Sequence, residues 1–155
     1  MLLSELQIAV NEVIEQLAES LSFIEHNKAR LQPETYAQLA PLLRQRQQNL
    51  ARLTLYAREH LRTRPRAPDL EREDLETLVS HLKALFGSPQ QAVLQEFYTY
   101  QNNINQALVV LNQELTSEIR SQNIELMQML QHLETEKTQM QAFLAGTLAS
   151  CETLN

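Results

Sequence analysis

Apolar positions recur along the chain at helical spacing. Leu3, Val10, Leu17, Ile24 and Leu31 repeat every seventh residue, Leu6 and Val13 take the complementary position, and Ile14 and Leu21 widen the stripe. This predicts an amphipathic helix over 1–31. Gln32-Pro33 ends it, because a proline biases the residue before it out of the helical region and suits the first turn of a new helix. The second helix, expected over 33–62, carries Tyr36, Leu39, Leu43, Leu50, Leu53, Ala57 and Leu61 on one face. Pro41 lies inside that pattern and predicts a kink or restart near Ala40, since it lacks an N–H and crowds the preceding turn. The short connection makes the two helices an antiparallel hairpin.

The segment from Arg62 to Asp69 has two prolines and no apolar periodicity, and reads as a linker. Asp69 then suits an N-cap, and a short third helix over 69–86 follows, with Leu75, Leu78, Val79, Leu82, Leu85 and Phe86 as its apolar face and Gly87 as its stop. Ser88-Pro89 supplies a new N-cap and first position. From there no proline recurs and the only glycine is Gly146. A very long C-terminal helix over 89–145 is therefore expected, roughly 80 Å long at 1.5 Å per residue. Its stripe runs through Val93, Phe97, Ile104, Leu108, Leu111, Leu115, Ile119, Leu126, Leu130, Leu133, Met140 and Leu144. Two places invite a bend: the asparagine-rich run Gln101–Gln106 and a stutter between Leu115 and Ile119.

The fold class is thus all-α, an elongated helical bundle treated as one domain over 1–155. Composition agrees. Of 155 residues, 43% are hydrophobic, only two are glycine and none is tryptophan, which suits a core of aliphatic residues and removes glycine-rich phosphate loops and nucleophile elbows. The opening Met1-Leu2-Leu3-Ser4-Glu5 has no basic leader, and the longest apolar run, Ala107 to Leu111, is far below the roughly 20 residues a spanning helix needs. One cysteine, Cys151, permits no internal disulfide. These features predict a cytoplasmic protein without membrane insertion.

The net charge of -6 conceals an asymmetry. Arg44 to Arg66 holds seven arginines and one glutamate, while the other segments are acidic. A basic second helix beside an acidic first helix explains this better than nucleic acid, because no stacking aromatics or recognition motif accompanies the arginines. No catalytic, cofactor or metal site is expected. Phe23, Ala57, Leu78 and Met129 stand three residues before His26, His60, His81 and His132, so the Glu-x-x-His pairs of di-iron bundles are missing. The carboxylates fall on helix starts and solvated faces, and the reading is a binding protein rather than an enzyme.

The distal stripe is the candidate partner site. Three shorter helices flank only about half of a rod that long, leaving Ile119, Leu126, Leu130, Leu133, Met140 and Leu144 to be covered by fold-back, by self-association or by a helix of another chain. Met127, Met129 and Met140 add adaptable contacts. Leu17-Ala-Glu-Ser-Leu-Ser-Phe-Ile-Glu25, followed after a turn by Leu39-Ala-Pro-Leu-Leu-Arg-Gln-Arg-Gln-Gln-Asn-Leu-Ala-Arg-Leu53, resembles the opening hairpin of the FlgN-type flagellar export chaperones. Asn102-Asn103-Ile104-Asn105 and Ser121-Gln122-Asn123 both resemble the paired asparagines of that family's later helix. The resemblance implies a chaperone that binds amphipathic segments of hook-associated, type III exported subunits through those six distal residues. The competing expectation is a coiled-coil scaffold that self-associates.

Overall fold

A computed structural model describes residues 4–62 and 88–153, with side chains through Ala149. The expected linker, the third helix over 69–86, Leu3, His81 and the Cys151 side chain lie outside the described residues. All elements among those described are helical: α1 (Glu5–Asn27), a 3-10 turn (Lys28–Arg30), α2 (Pro33–His60), α3 (Pro89–Gln113), α4 (Ser117–Gln122) and α5 (Ile124–Thr153). None is long and apolar enough to cross a membrane.

Local chemistry fixes most of these ends. Ser4 accepts from the Gln7 amide at 3.1 Å while Gln7 Oε1 accepts from the Ser4 amide at 2.7 Å, a reciprocal capping box that starts α1. Ser88 caps α3 by accepting from the Gln91 amide, and Pro89 takes its first position. α2 runs through Pro41 without interruption, contrary to the expected restart. Both Pro41 and Ala37, the residue whose carbonyl loses its partner, are exposed, so water can take the missing bond. α2 stops at His60, and Arg62 turns the chain away with φ 54°, the left-handed conformation common just past helix ends.

The expected rod over 89–145 is instead a helical turnback. α3 ends at Gln113, and Leu115 is buried at the corner. Thr116 opens α4 by accepting from the Ile119 amide at 3.2 Å. Asn123, non-helical at φ -125° and ψ 59°, separates α4 from α5. Its amide donates to the Ile119 carbonyl at 2.8 Å and its Oδ1 accepts from the Tyr56 hydroxyl at 2.6 Å, tying this second corner to α2. The asparagine-rich run at 101–106 stays helical. The turn falls where the stutter was, and the polar residues that make it are Thr116 and Asn123.

The turnback closes a four-helix square in which α1 and α5 each pack on both α2 and α3. Gln7 Nε2 donates to the Leu61 carbonyl at one end, and the Gln32 amide donates to Gln90 Oε1 at the other. α2 therefore ends where α1 begins, whereas α3 starts at the opposite end. The core forms two apolar clusters. One joins Val10, Val13, Leu17, Leu53, Ala57, Leu108, Leu111, Leu126, Leu130 and Leu133; the other joins Phe23, Ile24, Leu39, Leu43, Val93, Phe97, Met140 and Leu144.

The cap at the turnback makes a measurable contribution. Thr116→Ala removes the acceptor for the Ile119 amide, and urea denaturation should show a loss of about 1 kcal/mol. An unchanged midpoint would mean that the corner is held without that cap.

Candidate functional site

Between the two apolar clusters lies a polar layer to which every long helix contributes. Arg46 of α2 is fully buried. Its Nε donates to Glu136 Oε1 of α5 at 2.6 Å and its Nη2 to Glu136 Oε2 at 3.2 Å, a two-point pairing of fork and carboxylate. Nη1 donates to Ser20 Oγ of α1 at 3.0 Å, and Nη2 also donates to Gln101 Oε1 of α3. The guanidinium carbon lies 5.4 Å from the centre of the Phe97 ring, a cation–π distance. Gln101 Nε2 donates onward to Asn105 Oδ1 at 2.9 Å. Such a layer is costly to desolvate but worse to break, because either ion alone would be left buried and uncompensated.

Beside it, Tyr100 stacks at 5.0 Å on Phe23, and burial pushes its phenol up to about 12, with Glu96 and Glu19 adding to the shift. An unfolded tyrosine releases its proton near 10, so the unfolded state loses it first and stability falls as pH rises from 10 toward 12.

The six distal residues fall inside this core. Leu126, Met140 and Leu144 are fully buried, Leu130 and Leu133 nearly so, and Ile119 is half-buried against the first cluster. In the free chain they face the bundle's own helices. The arginines divide similarly: Arg46 enters the core and reaches Glu136, while Arg44, Arg52 and Arg58 are exposed on α2. His60 Nε2 lies 3.6 Å from Glu125 Oε2, and His26 Nδ1 lies 2.7 Å from the Ser22 carbonyl. Among the described residues no group of three or more His, Cys, Asp or Glu side chains is placed to hold a metal ion.

An open surface occurs elsewhere. A groove of about 450 Å³ runs between α1 and α3, lined on one side by Glu5, Ile8, Ala9, Glu12 and Gln16 and on the other by Asn103, Gln106, Ala107, Val110 and Glu114. Ala9 and Ala107 are buried and form a low floor, while Ile8 is 54% and Val110 40% exposed along the walls. Val109, next to Val110, is also exposed. Contiguous exposed aliphatic side chains bordered by polar ones mark interaction surfaces more often than isolated ones do. Residues 8, 12 and 16 already had helical spacing in the sequence. Nothing there distinguished this outer face of α1 from a solvated one, because the groove exists only once α3 lies alongside.

The chain matches no family model, no curated protein and no solved structure.

The polar layer gives a prediction. Glu136→Leu should cost about 3–5 kcal/mol in chemical denaturation, and Arg46→Met combined with Glu136→Leu should recover most of that loss. Additive losses in the double variant would mean that the two side chains are not coupled.

Proposed function

We propose that this chain is a helix-binding protein, an export chaperone that receives an amphipathic helical segment of a secreted subunit in the groove between α1 and α3. The observation that carries the reading is the groove itself, an alanine floor between exposed Ile8 and Val110 on two antiparallel helices. A third helix laid there would bury those walls and complete a three-helix contact, which is helix-in-groove recognition. From Glu5 to Gln16 the groove is about 17 Å long, room for roughly three turns of a bound helix. The flagellar, type III assignment of the client rests on the resemblance of the α1–α2 hairpin to the FlgN-type chaperones. Placing the site here rather than on Ile119, Leu126, Leu130, Leu133, Met140 and Leu144 rests on the burial of those six residues.

Self-association through the same aliphatic walls is the second reading, favoured by exposed Val109 beside Val110. It is opposed by charge, because two copies meeting at this face would bring Glu5, Glu12 and Glu114 of each together.

The test uses the full chain and labelled terminal segments of hook-associated subunits. Ile8→Asp and Val110→Asp should each weaken binding about 10-fold or more while leaving the melting temperature nearly unchanged, since both side chains are largely exposed. Undiminished binding by both variants would return the site to the α5 stripe, reached by opening the bundle. Sedimentation equilibrium separates the second reading: a mass that climbs with concentration in the absence of client, and falls back in Val110→Asp, would favour the scaffold.

A further inference from the structure

The groove's polar lining is one-sided in charge. Among the described residues its ionisable members are Glu5, Glu12 and Glu114, its other polar members are the amides of Gln16, Asn103 and Gln106, and no Lys, Arg or His lines it. Because α1 and α3 are antiparallel, Glu5 at the start of α1 and Glu114 at the end of α3 lie at the same end of the groove, with Glu12 two turns further along α1.

Local helix chemistry accounts for only one of these acids. Glu5 sits in the first turn of α1, where the helix dipole favours a negative charge. Glu114 occupies the C-cap of α3, where the dipole disfavours one, and it has no ion pair among the described residues. Glu12 is exposed, and among the described residues it pairs with Gln16, whose Nε2 donates to Glu12 Oε1 at 2.8 Å. That bond turns the Gln16 carbonyl oxygen inward, and Gln16 Oε1 is a buried side-chain acceptor with no hydrogen-bond donor among the described residues. Unmet acceptors of this kind are rare in folded proteins.

We propose that the groove selects a cationic amphipathic helix, one whose apolar stripe is flanked by Lys or Arg, and orients it with its more basic end toward Glu5 and Glu114. This rests on the reading of the groove as a helix site. The apolar walls supply affinity to any amphipathic helix, and the three carboxylates discriminate among them. Helices with acidic flanks are repelled, and so is a second copy of this face. The carboxylates stand at an open rim, so the discrimination is screened by salt while the apolar contribution is not.

The experiment measures fluorescence anisotropy of the full chain with three designed peptides of about 18 residues, long enough to span the groove with a turn to spare at each end. They share one Leu/Ala stripe and differ in flanks of Arg, Gln or Glu. At about 50 mM salt the Arg-flanked peptide should bind about 10-fold tighter than the Gln-flanked one, and the Glu-flanked one weakest. At about 500 mM salt the three should converge. Glu5→Gln, Glu12→Gln and Glu114→Gln combined should bring the three affinities to within about twofold of one another, with a nearly unaltered melting temperature as the check on folding. Equal binding of all three peptides, or a preference that survives in the triple variant, would overturn the charge selection while leaving the groove reading intact provided that Ile8→Asp abolishes binding. If no peptide binds at any salt, the groove reading itself fails, and the selection with it.

Discussion

Burying a guanidinium and a carboxylate together constrains a helical bundle more tightly than any apolar contact can. Leucine stripes tolerate sliding by a residue or rotation by a fraction of a turn, because one aliphatic surface resembles the next. Arg46 tolerates neither. Its fork must reach Glu136 on α5, Ser20 on α1 and Gln101 on α3 at once, with Phe97 close by, and any shift of one helix leaves an ion in the core without its partner. Two apolar clusters lie on either side of this layer, so the level at which the four helices meet is set at their middle and the leucines fill in from there. The layer also explains why α5 belongs to the bundle, since without it Arg46 would have no counter-ion.

Much of the fold could be read from the residues. The heptads of α1, the Gln32-Pro33 turn and the Ser88-Pro89 start each rest on local chemistry that acts in the same way whatever the rest of the chain does. The turnback was less legible. Thr116 and Asn123 are weak signals beside the absence of proline and glycine, and their effect depends on contacts far away in sequence, notably the Tyr56 hydroxyl on Asn123. The polar layer was written as two gaps in the stripes. α2 carries Arg46 between Leu43 and Leu50, and α5 carries Glu136 between Leu133 and Met140, each at a position where a core residue was due. Either gap alone looks like an ordinary solvated residue, and only their pairing across 90 positions gives them meaning.

The same pairing moves the functional question. A stripe on a projecting rod would be a surface; closed into the bundle, it is core, while Ile8 and Val110 remain among the exposed aliphatic side chains where α1 and α3 meet over alanines. Small residues let two helices approach closely, but they cannot fill the hollow above them, so Ile8 and Val110 stand as walls over a low floor. On the proposed reading, the acids around that hollow would add specificity to a contact whose affinity is apolar. Stability and recognition would then be separated in space: the ionic layer and its flanking leucines hold the bundle, and the α1–α3 groove, open among the described residues, would bind.

The central claim is that the chain after Pro89 doubles back to close the bundle, and a single distance tests it. Tyr98 on α3 and Gln139 on α5 are both exposed and, by the pairing of Gln101 and Glu136 through Arg46, stand at nearly the same level of the bundle. Spin labels placed there as Tyr98→Cys and Gln139→Cys, with Cys151→Ser to remove the native thiol, should give one narrow distance distribution below about 25 Å, as adjacent packed helices require. A distribution centred near 60 Å, the span of 41 residues in one continuous helix at about 1.5 Å each, would contradict the account.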